Sequence, residues 1–192
     1  MKTQTQMKMW FLGAALIVAG FAGSLTAESV DIHVSINASK SLQALTTAYY
    51  FGAVDINNSS HSATALVVRN TSGALIETYK LSAGNAISDT VGTDWTLNTT
   101  PSQDNYVLSA QFGTARPADA TDGNWGSDNL TITPTDCDDD AFGNGTPGQT
   151  GLDVSPLAAG GAYNRNLWFR IKTPVTATDG GAHTALVTLS VK

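Results

Sequence analysis

The chain has 192 residues, a formal net charge of −6 and 14% charged residues, with one cysteine, Cys137. The acidic balance argues against nucleic acid and against anionic membrane surfaces, which both need basic patches. A single cysteine excludes an internal disulfide, so Cys137 is a free thiol or half of an intermolecular bond.

The N-terminus reads as an export signal. Lys2 and Lys8 supply positive charge, and residues 9–23, MWFLGAALIVAGFAG, form a short apolar run followed by small residues in SLTAES. A run of this length with this flank is a cleaved signal-peptide helix rather than a membrane span. The expected boundary is after Ala27, with a cut between Ala22 and Ser24 as the alternative. Residues 1–27 are thus read as a leader and residues 28–192 as one domain, secreted to the extracellular space or the cell surface. No later segment is apolar enough to span a bilayer. The mature part holds all sixteen acids against eight bases, a net charge of −8. A domain of this size buries about 68–70% of its unfolded surface and can hold a core without disulfides.

Past the leader there are twenty-two Thr and two Glu. Thr favours strands, while Asp, Asn, Gly and Ser favour turns. In VDIHVSIN, Val30, Ile32, Val34 and Ile36 fall on one face. AYYFGAVDI is a strand interrupted at Gly52, which implies a bulge. SATALVVRN and ALIETYKLSA flank Asn-Thr-Ser-Gly, a hairpin signal. DNYVLSAQF places Tyr106, Leu108, Ala110 and Phe112 on one side, and DNLTITP places Leu130 and Ile132 inward. NRNLWFRIK sets Leu167, Phe169 and Ile171 against Trp168, Arg170 and Lys172. AHTALVTLSVK points Ala185, Val187, Leu189 and Val191 inward. About eight strands with one apolar and one polar face predict an all-β, antiparallel β-sandwich, with a closed barrel as runner-up. The last strand is expected to pair with NLWFRIK as a hairpin. The alternative use of an edge is insertion of a strand such as VDIHVSIN into a neighbouring subunit.

Two long loops, residues 113–127 and 135–151, hold most of the candidate chemistry. In DCDDD, Asp136, Asp138 and Asp140 alternate, and alternating carboxylates can converge on a hard cation such as Ca²⁺. An EF-hand is excluded, because Ala141 stands where Gly is needed and Pro147 where a bidentate Glu is needed. The competing reading is a solvated acidic loop. In DGNWGSDN, Asp122, Asn124 and Asp128 surround Trp125, which either stacks on a sugar face or tucks over the end of the sandwich. Trp168 is either a subunit contact or lies flat on its own sheet under Arg170 and Lys172. Seven Asn-x-Ser/Thr sequons, at Asn37, Asn57, Asn58, Asn70, Asn98, Asn129 and Asn144, are expected to mark polar surface. The three His (His33, His61 and His183) have no metal-ligand spacing. There is no His-Glu-x-x-His, no Gly-x-Ser-x-Gly and no phosphate loop. Acidic neighbours disfavour a nucleophilic Cys137 thiolate.

TALVVRNTSGALIETYKLSA resembles the front half of bacterial extracellular Ig-like modules. PLAAGGAYNRNLWFRIKTP and GGAHTALVTLSVK resemble their back half. The likeness covers roughly residues 45–83 and 152–192. There is a fainter likeness to camelysin and biofilm-fibre surface proteins, which pair a leader with a β-sandwich. The resemblance implies an Ig-like sandwich with a non-catalytic role and supplies no active-site residues. The function expected is a secreted structural or surface-assembly protein, a filament or coat subunit in its strongest form, partnered by itself or by another surface protein. The alternative is a carbohydrate- or ligand-binding module, Ca²⁺-assisted.

Overall fold

The computed structural model describes residues 29–32, 41–126, 128–143, 149–156 and 163–192. The leader, Val34 and Ile36 lie outside the described residues, as do the sequons at Asn37 and Asn144. What is described is nearly all β, with a single helical turn, α1 (Asp122–Trp125), and no helix long and apolar enough to cross a membrane.

Two larger sheets share one core. The first runs β2 (Leu42–Ala44), β5 (Leu66–Asn70), β10 (Asn164–Lys172), β8 (Asn105–Phe112), β7 (Thr96–Leu97). The short β4 (Ser59–His61) pairs with the far end of β10, beyond β5. The second runs β11 (His183–Val191), β6 (Tyr79–Ser88), β9 (Thr135–Asp136). A separate ribbon joins β1 (Ser29–Ile32) to β3 (Tyr49–Ala53).

Strict alternation explains the core. Tyr106, Leu108, Ala110 and Phe112 of β8 and Leu167, Phe169 and Ile171 of β10 project from the first sheet. They meet Tyr79, Leu81 and Ala83 of β6 and Ala185, Val187 and Leu189 of β11 in one buried cluster, as the alternation predicts. Tyr79 and Phe112 touch across the layers with ring centres 6.0 Å apart. Gly52 sits at φ +71°, and the β1–β3 register slips beside it, so the expected bulge is present.

Four expectations are corrected. Asn-Thr-Ser-Gly does not close a hairpin: β5 belongs to the first sheet and β6 to the second, so the turn crosses between layers. Asn70 is the reason. Its buried amide donates to Leu75 O at 2.9 Å and Val154 O at 2.8 Å, while its carbonyl oxygen accepts from the Ser72 amide. The side chain is therefore a structural hinge and not a surface sequon. The last strand does not pair with NLWFRIK either. β11 pairs with β6 from Val191↔Tyr79 to His183↔Ser88, leaving β10 between β5, β4 and β8. In DNLTITP only Leu130 is buried, whereas Ile132 is 74% exposed.

Cys137 is buried and unpaired, packed where Gly151 leaves room. Burial, then Asp138, Asp136 and Asp128, push its thiol pKa up. A Cβ on Gly151 would come within 2.8 Å of Cys137 Cβ and 2.9 Å of the Phe112 ring. Gly151→Ala is therefore expected to cost about 1–3 kcal/mol, read from urea unfolding. Native protein is expected to leave Cys137 unmodified by a thiol reagent that labels it in denaturant. Rapid labelling without denaturant would contradict this packing.

Candidate functional site

The unusual region of the fold is the outer face of the β8–β10 pair. Alternation puts Ser109 and Gln111 of β8 there, opposite Arg170 and Trp168 of β10. On a half-buried sheet these would meet water. Instead Ser109, Gln111, Trp168 and Arg170 are all buried, because residues 113–126 and 128–129 fold back over them.

The cover is held by polar contacts. Trp168 Nε1 donates to Gly113 O at 2.9 Å, and Trp125 Nε1 donates to Asp119 O at 2.8 Å. Arg170 Nη2 donates to Ser109 Oγ at 2.8 Å and to Asn129 Oδ1 at 3.4 Å, and the guanidinium lies 5.7 Å from the centre of the Trp125 ring. Residues 128–130 run along the edge of β8. Ala110 donates to Asp128 O, and Leu130 donates to Leu108 O. Farther along the same strand, Phe112 donates to Phe142 O.

Asp128 joins the two long loops. Its Oδ1 accepts from the Phe142 amide at 2.7 Å, and its Oδ2 accepts from Gln111 Nε2 at 3.1 Å. It is 3% exposed. Burial pushes its pKa up to about 6, against the opposing pull of the Phe142 and Gln111 hydrogen bonds and of Arg170. Above it opens a cavity of about 460 Å³ whose walls include Gln111, Arg116, Asn124, Asp128, Asp140 and Gly143.

The acidic loop divides its carboxylates among three tasks. Asp136 bridges Lys192 at 2.6 Å and Lys80 at 2.9 Å, and these bonds hold its pKa down. Asp138 Oδ1 caps the following turn, accepting from the amides of Asp140 at 2.8 Å and Ala141 at 2.5 Å. Asp140 lines the cavity. Among the described residues, no group of three or more His, Cys, Asp or Glu is placed to hold a metal ion. Trp125 is 0% exposed and forms the floor beneath the cover, so it presents no ring face to a sugar. Trp168, 8% exposed, is buried and donates to Gly113 O. His61 on β4 and His183 on β11 lie on different sheets, and His33 lies outside the described residues.

Sequence reasoning singled out Asp128 only as a neighbour of Trp125 and missed Gln111 and Arg116. The available signal was Gln111 itself, a long polar side chain next to last in a strand that, Asn105 aside, is otherwise apolar or small. Comparison with known proteins adds no assignment: no protein-family model and no curated protein matches the chain.

The raised pKa of Asp128 has a definite sign. Folded protein holds this proton between about pH 4 and 6 and unfolded protein does not, so this group's contribution to stability falls as pH rises through that window. The loss is on the order of 2–3 kcal/mol. His61, lowered mainly by burial, acts oppositely, its contribution being lost as pH falls below its unfolded value of 6.5. The difference between wild type and Asp128→Asn isolates the first group. In EDTA, the variant is expected to gain stability relative to wild type as pH goes from 4 to 7, read by urea unfolding at each pH. A pH-independent difference would mean that Asp128 is ionised throughout.

Proposed function

We propose that the chain is a secreted, non-catalytic assembly protein, an Ig-like sandwich that joins copies of itself by strand pairing. The observation that carries this reading is the outer edge of β11. It is nine residues long, and its inner edge is laddered to β6. Among the described residues no strand is hydrogen-bonded to its outer edge. An edge of that length with no strand bonded to it among the described residues offers a row of backbone donors and acceptors to another strand. β1 lies alongside β11 without joining its ladder, and the equivalent strand of a neighbouring copy is the natural occupant. Leu186 of β11 and Ile87 of β6, 48% and 60% exposed, add apolar surface beside that edge. The N-terminal export pattern supports secretion, and the acidic charge suits a protein that contacts other proteins.

A ligand-binding module is the second reading. The polar cavity beside Gln111 favours it, while the burial of Trp125 removes the stacking platform that a sugar would use.

Light scattering on a sizing column, with residues 28–192 under reducing conditions and in EDTA, tests the first reading. Concentration-dependent oligomers or polymers are expected. Leu186→Lys with Thr188→Lys, both on the outward side of β11, should reduce them without lowering the melting temperature, since charge on an edge strand opposes pairing. A wild-type monomer at every concentration would move the assignment to the binding module.

A further inference from the structure

We infer that His183 is the cation of a pH-sensitive clamp, which holds the loop after β6 against the loop before β11 in acid and releases it as the medium turns alkaline. The ring is 0% exposed, and both of its nitrogens face backbone carbonyls. Nδ1 stands 2.9 Å from Gly181 O, and Nε2 stands 3.0 Å from Thr93 O. A carbonyl oxygen only accepts, so each nitrogen has to donate to satisfy its partner. Neutral imidazole carries one N–H and one lone pair, and either tautomer sets that lone pair against a carbonyl. Imidazolium donates from both nitrogens. Two further observations favour the cation on separate grounds. The ring stacks on buried Trp95, with centres 4.0 Å apart and planes 20° apart, so positive charge meets the negative face of the indole. Asp179 Oδ1, 3.8 Å from Nε2, is buried and accepts no hydrogen bond among the described residues, which leaves its charge facing the ring.

The clamp closes on Thr93. Asp179 Oδ2 accepts from the Thr93 amide, and the His183 ring holds the Thr93 carbonyl. The two loops fit tightly around this residue. The Asp89 amide donates to Ala182 O at 2.8 Å, and a Cβ on Gly92 would collide with Asp179 Oδ2. The charged groups that these contacts place beside the ring are acids from both loops. Asp179 stands on the β11 side. On the β6 side stand Asp89, which accepts from Thr184 Oγ1 at 2.8 Å, and Asp94, which accepts from the Ser88 amide at 3.0 Å. Loss of a ring proton removes a positive charge from among three carboxylates and breaks one of the two bonds to carbonyl oxygen. Histidine is the side chain whose ordinary change of charge falls between pH 5 and 8. The folded arrangement suits the protonated ring, so its contribution is present in acid and lost as pH rises. Asp128 acts with the same sign in part of this range, so local and variant measurements separate the two.

The test reads two signals from the mature chain at pH 5 and pH 8: the nitrogen NMR spectrum of the His183 ring, and amide hydrogen exchange corrected for its intrinsic dependence on pH. At pH 5 both ring nitrogens are expected to be protonated and the amides of Asp89 and Thr93 protected. At pH 8 the ring should have lost one proton, and protection of these two amides should fall about tenfold, the scale of one lost hydrogen bond. The amide of Leu108 in the middle of β8 should not change. His183→Gln, whose amide donates without carrying charge, should show no such step. A step of equal size in that variant would assign the effect to another group and overturn the clamp. Should the variant fail to fold, the wild-type chain decides the question alone. A ring that is neutral at pH 5, a ring whose charge does not change by pH 8, or a change that leaves Asp89 and Thr93 equally protected would each overturn it.

Discussion

The β8–β10 pair is buried on both faces, and much of the rest of the structure answers to that constraint. Its inner face is apolar and needs only the facing sheet. Its outer face carries Ser109, Gln111, Trp168 and Arg170, and a polar face can be buried only where its groups find partners. An unpaired buried guanidinium would cost several kcal/mol. Residues 113–129 supply the partners: Asn129 Oδ1 for Arg170, a carbonyl for Trp168, and the Trp125 ring beneath the guanidinium. The path of this loop is set by the hydrogen bonds that the sheet beneath it requires.

The same requirement explains why a carboxylate sits so deep at Asp128. Arg170 brings a positive charge under the cover, and a nearby carboxylate offsets it. The Phe142 amide and Gln111 then bind Asp128 and tie the second long loop to the first. Burial nonetheless outweighs these contacts and raises the pKa to about 6. A group under such tension is more often found where a structure serves something besides its own stability.

Period-2 alternation made the core legible in the sequence. Leu167, Phe169, Ile171, Tyr106, Leu108 and the inward residues of β11 lie where alternation places them, because one face of each strand meets the facing sheet. Alternation says nothing about which strand lies beside which. Asn-Thr-Ser-Gly marks a turn correctly, yet whether the chain returns to the same sheet or crosses to the other depends on Asn70 reaching Leu75 and Val154, 84 residues away in the latter case. The same limit hid the site. The outward residues of β8 and β10 look solvated in sequence, and only the tertiary return of residues 113–129 buries them. Asp136, Asp138 and Asp140 alternate as metal ligands would, but the lysines of β6 and of the C-terminus claim the first, and a tight turn claims the second. Nothing local in DCDDD announces Lys80 or Lys192.

The two larger sheets treat their edges differently, and the contrast bears on assembly. The first sheet ends in β2 and β7, of three and two residues, too short to template another strand. In the second, the edge of β6 away from β11 is covered piecemeal: by β9, by Thr131 O against Ala83, by Gly151 O against Tyr79, by Val154 against Glu77 and by Trp95 against Ala86. Three stretches, around Trp95, residues 131–136 and residues 151–154, close that one strand. β11, nearly as long and equally regular, has only the unladdered β1 beside its outer edge among the described residues. Among the described residues the long edge of β6 is covered and that of β11 is not, so the proposed assembly would pair through a single direction. Addition at one such edge by a segment from elsewhere on the next copy is a head-to-tail contact. Contacts of that kind build rings where the rotation closes and filaments where it does not.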